Sequence, residues 1–128
     1  MANILVVDDE PDTLGLIELT LQTAGYSVQT AVSGEQALRR LREDSFDLIL
    51  LDIMMPDVSG FDVVRRARKQ AEHVPPVVFL SARTRKEDRQ QGASLGAAGY
   101  LVKPTTRGDL LDTIRQVLEA SGVDHADA

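Results

Sequence analysis

The chain has 128 residues, a length that suits one compact domain and leaves no room for a second. It contains no cysteine, which excludes a disulfide framework and a thiolate metal site. Its net charge of −6 and its lack of tryptophan argue against nonspecific binding to nucleic acid or to an anionic membrane. The apolar runs are too short to cross a bilayer and the first residues do not read as a secretory leader, so we expect a soluble cytoplasmic protein.

Short apolar runs alternate with helical patterns through the first half of the chain. Residues 4–7 form a run typical of a buried strand. Pro11 suits the first turn of a helix, and Gly25 marks its end. A short strand over residues 26–31 follows. Ser33 then caps a second helix in which Gln36 is the capping-box partner.

The alternation continues with a third strand over residues 48–51. A loop carrying Pro56 and Gly60 leads into the third helix. Residues 77–80 form the fourth strand. The fourth helix, over residues 85–95, has little apolar content, so we expect it to be the least firmly packed element.

The fifth strand covers residues 100–102, and Thr106 caps a last helix with a clear apolar stripe. Five strands alternating with five helices predict a parallel sheet with helices on both faces, a doubly wound α/β fold. The first, third and fourth strands are the most apolar and should be central. We expect one domain over residues 1–120 and a flexible tail over residues 121–128.

A polar residue that can handle phosphate follows four of the strands. Asp8 and Asp9 follow the first strand, Asp52 the third, Ser81 the fourth and Lys103 the fifth. Ligands of open parallel sheets bind beyond the carboxyl ends of the strands, so these side chains should converge. Carboxylate oxygens suit Mg²⁺, and a carboxylate can also accept a phosphoryl group as an acyl phosphate.

Each of these residues also has an ordinary structural explanation. An acidic cluster at a helix start favours the helix dipole, Asp52 can be a solvated loop acid, and Ser81 can be a cap. Lys103 before a proline is usually a surface charge. Their joint placement at the carboxyl ends of different strands favours the functional interpretation, in which Lys103 neutralises a phosphoryl group and Ser81 donates a hydrogen bond to it.

Four segments resemble the receiver domain of two-component response regulators. They are residues 4–11, residues 47–60, the pair Ser81 and Ala82, and residues 99–104. The resemblance covers residues 3 to about 119, and the order, strand placement and spacing of the motifs agree. It implies a flavodoxin-like receiver fold with strand order 2-1-3-4-5.

The resemblance also implies a metal-assisted phosphorylation site. Asp52 would be the phosphoacceptor, taking its phosphoryl group from a sensor histidine kinase or phosphotransfer protein. Mg²⁺ would be held by Asp9, Asp52 and the backbone carbonyl of Met54. Asp8 would act mainly through a metal-bound water. The chain would catalyse only its own phosphorylation and dephosphorylation, without being an enzyme on a separate substrate.

A conformational switch is implied by the same resemblance. Ser81 would move toward the phosphoryl group, Lys103 would pair with it, and Tyr100 would turn inward beside the small Ala82. The bond between Lys103 and Pro104 is expected to be cis. The changed surface would comprise the fourth helix, fifth strand and fifth helix, and would bind a downstream protein target or a separate output domain.

Some residues depart from the common family pattern. Ser81 replaces a threonine, so the coupling of the switch is looser. Met54 and Arg83 lie where relatives tune hydrolysis of the acyl phosphate, and neither suits the orientation of an attacking water. We therefore expect a long-lived phosphorylated state.

Oligomerisation is the second departure. Thr113 stands where relatives with winged-helix output carry an arginine, which weakens the case for their salt-bridged dimer. Arg85, Lys86 and Arg89 could meet acidic residues of a second copy, but a solvated charged helix is the favoured interpretation. We expect a monomer or weak homodimer, with no output domain in this chain, no direct nucleic acid binding and no membrane contact. His125, in the tail, is not a candidate ligand.

Three other functions are weighed against this one. A phosphatase with a nucleophilic aspartate would usually carry a second aspartate at the position of Met54. A flavin binder would need a phosphate-cradling loop after the first strand, where Asp8, Asp9 and Glu10 would repel the flavin phosphate. A receiver that serves only as a binding module would have no need for the complete set of acidic, hydroxyl and lysine residues.

Overall fold

The computed structural model describes residues 1–70, 73–82 and 85–122, which form five strands and five helices in strict alternation. The strands are β1 (Asn3–Val7), β2 (Ser27–Ala31), β3 (Leu48–Asp52), β4 (Val77–Ser81) and β5 (Gly99–Val102). The helices are α1 (Pro11–Thr23), α2 (Gly34–Glu43), α3 (Gly60–Gln70), α4 (Lys86–Ser94) and α5 (Arg107–Ala120). These bounds differ from the sequence-based ones by about one residue, as is usual at element ends.

The strands form one parallel sheet in the order β2-β1-β3-β4-β5, which confirms the predicted topology. The most apolar strands, β1, β3 and β4, are the central ones, and every residue of β3 and β4 is buried. The register pairs Val7 with Leu51, and Asp52 with Leu80. Consequently β1 and β3 end side by side, and the residues that follow them leave the sheet at one edge.

Each face of the sheet has its own hydrophobic core, as expected for a doubly wound fold. Alternate residues of the central strands point to opposite faces. Ile4, Leu50 and Leu80 pack with α1 and α5 on one face. Leu51 and Phe79 pack with α2 and α3 on the other. Because both faces are covered, the strands are apolar along their whole length, and polar residues enter the sheet only at its ends.

Two of the helices begin at side-chain caps that the sequence predicted. The Ser33 hydroxyl accepts a hydrogen bond from the Gln36 amide (3.1 Å), and the Gln36 side chain accepts one from the Val32 amide (2.8 Å). The Thr106 hydroxyl accepts a hydrogen bond from the Asp109 amide (3.0 Å). Such caps satisfy amides that have no partner within the helix and so fix where it begins.

The fourth helix contributes least to the core. Within Lys86–Ser94, only Asp88 and Gly92 are buried, whereas every other helix buries aliphatic side chains. A side chain at Gly92 would lie 3.1 Å from the Phe79 ring, which explains how α4 packs closely against the sheet without a large residue of its own. The weak apolar content predicted for this helix agrees with that packing.

The chain end and membrane association are only partly described by the structure. Ser121 and Gly122 form an exposed turn after α5. The remaining tail residues, His125 among them, lie outside the described residues, as does Arg83. Among the described residues, no helix is long and apolar enough to span a bilayer, which takes about 20 residues.

We expect Gly60→Ala to lower the free energy of unfolding by about 1–3 kcal/mol in urea denaturation. The added methyl group would lie 2.5 Å from the Asp52 carbonyl oxygen and 2.9 Å from Ile53 Cα, both backbone atoms that cannot give way cheaply. Gly15→Ala, in α1, is the control, because nothing lies within 4 Å of its added carbon. That variant should gain about 0.5–1 kcal/mol. Equal effects of the two substitutions would contradict this packing.

Candidate functional site

Three carboxylates meet at the carboxyl edge of the sheet. Asp8 and Asp9 directly follow β1, and Asp52 is the last residue of β3. One oxygen from each of them lies within 4.8 Å of the others. Asp8 is fully buried, Asp52 is 4% exposed and Asp9 is half-buried. Like charges this close and this dry repel strongly, so the cluster requires a positive partner.

Lys103 provides the positive charge within the chain. Its ammonium nitrogen lies 2.7 Å from Asp8 Oδ2, 3.2 Å from Asp52 Oδ2 and 3.7 Å from a Glu10 oxygen. Its backbone amide donates to the Ser81 carbonyl (2.8 Å), and the following bond to Pro104 is cis, as predicted. Burial acts to lower the pKa of Lys103, but the hydrogen bond to Asp8 and the charge of Asp52 outweigh burial and raise it.

Asp52 is the carboxylate whose ionisation is most strongly altered. Burial raises its pKa from 3.8 to about 6. The hydrogen bond from the Met54 amide to Asp52 Oδ1 (3.1 Å) and the charge of Lys103 oppose this rise without cancelling it, and the charge of Asp8 adds to it. One lysine therefore does not compensate fully for the desolvation and mutual repulsion of the carboxylates.

The structure also brings Ser81 to this edge of the sheet. Ser81 is the last residue of β4, is fully buried, and pairs in register with Val102 of β5, the residue before Lys103. Tyr100 lies further back on β5 and is half-buried. The Arg89 guanidinium of α4 lies 5.0 Å from the centre of the Tyr100 ring. The sequence gave no sign of this cation–π contact, because it depends on how α4 is rotated against β5.

Met54 lies in the loop that follows Asp52. Its side chain is 47% exposed, and its backbone amide is directed at Asp52. The role expected of its carbonyl as a metal ligand stays a prediction. Asp57, further along the loop, was not among the predicted site residues, and its carboxylate accepts hydrogen bonds from the Gly34 and Glu35 amides (3.2 and 3.1 Å).

The chemistry of this donor set fits a hard divalent cation. The three clustered side chains offer only oxygen ligands, and Mg²⁺ is commonly held by one or two carboxylates while retaining several waters. The half-buried Asp9 gives the cluster an accessible side. A divalent cation would also relieve the repulsion that raises the pKa of Asp52.

Comparison with known proteins identifies the family. The family model of the response regulator receiver domain matches residues 4–115. The chain belongs to this family. The expected fold, a five-stranded parallel sheet of order 2-1-3-4-5 with five helices, is the one observed. Receiver domains act in two-component signalling, which is the coarse function that the family membership supports.

Curated relatives of this receiver domain are transcriptional regulatory proteins. CpxR of Escherichia coli is 42% identical over 121 residues, which are 94% of this chain and 51% of CpxR. PrrA of Mycobacterium tuberculosis is 42% identical over 119 residues, which are 93% of this chain and 51% of PrrA. The chain thus spans about half the length of the curated relatives it matches.

Solved structures of similar length share the fold. The chemotaxis protein CheY4 of Vibrio cholerae is 39% identical and has a TM-score of 0.86, covering 91% of this chain and 98% of CheY4. The response regulator TrrA of Thermotoga maritima, solved with Mg²⁺ and BeF, is 33% identical with a TM-score of 0.80. That comparison covers 91% of this chain and 99% of TrrA.

The raised pKa of Asp52 predicts how the stability of the metal-free domain depends on pH. Between about pH 4 and pH 6 the native state binds a proton that the unfolded state has released, so the free energy of unfolding falls as the pH rises. Asp52→Asn removes this dependence. Above pH 7 we expect it to be more stable than the parent by up to about 3 kcal/mol, a difference that disappears toward pH 4.

Urea denaturation in EDTA across this pH range measures the effect. Asp62→Asn is the control, because that carboxylate is 53% exposed and pairs with Arg65 on the surface of α3. Parallel pH profiles for Asp52→Asn and the parent protein would contradict the raised pKa.

Proposed function

We propose that this receiver domain accepts a phosphoryl group on Asp52 from the phosphohistidine of a sensor histidine kinase or phosphotransfer protein. A carboxylate oxygen of Asp52 would attack phosphorus, and the bond to the donor imidazole nitrogen would break. The nitrogen keeps the electron pair, so the donor histidine leaves neutral. The observation that carries this proposal is a buried carboxylate in contact with one lysine and two further carboxylates at the sheet edge.

We assign Mg²⁺ binding to Asp9, Asp52 and the Met54 carbonyl, with Asp8 acting through a metal-bound water. When bound, Mg²⁺ would offset charge on the carboxylates and on the phosphoryl oxygens. Lys103 supplies the second positive charge, since its ammonium group already lies 3.2 Å from Asp52. The amide of Met54 holds one Asp52 oxygen in place and so orients the nucleophile.

The donor is proposed to dock beside α1. Leu16 and Leu19 of α1 are 67% and 58% exposed, although both are large and apolar. A cavity of about 400 Å³ next to Lys103 is lined by Leu16, Ile17 and Pro104, among others. An apolar surface that borders the acceptor suits a protein donor, which must bring its phosphohistidine to the carboxyl edge of the sheet.

The output is proposed to be a changed surface on α4, β5 and α5. Ser81 would move toward the phosphoryl group and Tyr100 would turn inward. The half-buried ring borders a cavity of about 520 Å³ whose lining includes Thr113 and Val117 of α5, so its movement would reshape this surface. The surface would bind a downstream protein or a separate output domain. In this proposal the domain itself binds neither nucleic acid nor membrane, works in the cytoplasm, and is a monomer or weak homodimer.

Phosphorylation is tested by the intact mass after incubation with acetyl phosphate and Mg²⁺. We expect one added phosphoryl group, and none when Mg²⁺ is replaced by EDTA. Asp52→Asn should show no adduct, because the amide is a poor nucleophile. An adduct that persists in Asp52→Asn would place the modification elsewhere. A protein that shows neither an adduct nor Mg²⁺ binding would be a binding module instead.

The phosphorylated state is expected to last for minutes or longer. Met54 offers neither a carboxylate nor an amide side chain to orient an attacking water, and its half-exposed side chain lies beside the acceptor. Release of inorganic phosphate after removal of the donor measures the lifetime. Met54→Asn should shorten it, while Leu19→Asn on α1 should not. A parent half-life of seconds would contradict this expectation.

A further inference from the structure

Asp57 joins the loop between β3 and α3 to the start of α2. Its two carboxylate oxygens accept hydrogen bonds from the Gly34 amide (3.2 Å) and the Glu35 amide (3.1 Å). We propose that Asp57 is a positioning residue, which holds this loop so that the backbone of Met54 stays directed at Asp52. This inference rests on the proposed function of Asp52 and assigns a role to a residue outside the acceptor cluster.

The loop benefits from this contact more than α2 does. Ser33 already caps α2 through the Gln36 amide, so the helix has its own start signal. Asp57 satisfies the two preceding amides, which have no partner within the helix. A carboxylate at a helix N-terminus makes charge-assisted hydrogen bonds there. The lowered pKa of Asp57, for which backbone hydrogen bonds outweigh its slight burial, agrees with this contact.

The close approach of the loop to α2 depends on a glycine. A carbon added at Gly34 would lie 2.7 Å from Val58 Cβ and 3.1 Å from the Val58 carbonyl oxygen. Val58, which follows Asp57, is itself buried. The middle of the loop is thus fixed to α2 by two hydrogen bonds and by packing at the next residue.

Met54 lies between this attachment and a second one. Ile53 donates its amide to the Leu80 carbonyl (3.1 Å) and accepts a hydrogen bond from the Gly60 amide (2.8 Å). The exposed side chain of Met54 cannot anchor it, so its backbone position depends on the attachments on either side. Asp57 is the only one of these contacts made by a charged side chain that can be removed without disturbing the core.

The first test follows hydrogen exchange of the Met54 amide by NMR in the metal-free protein. Asp57→Ala should accelerate this exchange by about tenfold, the scale of losing one good helix cap. Asp57→Asn, which keeps an acceptor oxygen, should restore part of the protection. The matched control is Ser33→Ala, which removes the other α2 cap and should leave the exchange of Met54 near the parent value.

The second test is a Mg²⁺ titration of the same variants. Asp57→Ala should weaken binding roughly tenfold, the lower end of the effect of residues that orient metal ligands, and Ser33→Ala should not. The inference is overturned if the Met54 amide in Asp57→Ala exchanges as it does in the parent or in Ser33→Ala. A parent protein that binds no Mg²⁺ would count against the proposed function alone, because the exchange experiment would still decide the role of Asp57.

Discussion

The crowding of three carboxylates around one ammonium group is the constraint on which the rest of the site depends. Asp8 and Asp52 are almost entirely removed from water, and Lys103 lies within 3.2 Å of both. Burying charges is unfavourable unless they are well paired, and here the negative groups outnumber the positive one. The raised pKa of Asp52 is the direct sign of this imbalance. Further positive charge is what the metal-free site lacks.

The sheet imposes this arrangement because its central strands have no solvent-facing side. β1, β3 and β4 are covered on both faces, so a carboxylate at a strand end has little access to water unless the edge opens. The favourable burial of apolar residues such as Leu50 and Phe79 offsets the cost of keeping Asp52 dry. Fold and acceptor are thus linked by the same feature, a sheet apolar along its length and charged only at one edge.

Sequence patterns captured the parts of the molecule that depend on local chemistry. The strands were predictable because residues buried on both faces form continuous apolar runs, and the convergence of Asp8 with Asp52 follows from parallel strands that end together. The caps Ser33 and Thr106 were predictable because a hydroxyl three residues before an amide is a local pattern. The family resemblance added the strand order and the roles expected of individual residues.

Contacts between distant elements were not predictable in this way. Asp57 lies 23 residues from Gly34 in sequence, and nothing in an irregular loop states where its carboxylate will lie. The position of Arg89 over Tyr100 depends on the rotation of α4, a helix with little apolar content to set that rotation. The uneven contact of Lys103 with Asp8 and Asp52, 2.7 Å against 3.2 Å, depends on side-chain geometry that strand order alone does not fix.

The contact between Arg89 and Tyr100 also bears on how easily the proposed switch can move. A ligand or modification shifts a conformational equilibrium only by its difference in interaction energy with the two states. A cation–π contact at a partly exposed site contributes about 0.5–1 kcal/mol, so it holds the ring only weakly in its half-buried position. A phosphoryl group hydrogen-bonded by Ser81 and paired with Lys103 would gain charge-assisted contacts of larger energy. The site therefore combines a strongly held acceptor with a weakly held reporter ring, a combination that lets a local charge change alter a distant surface.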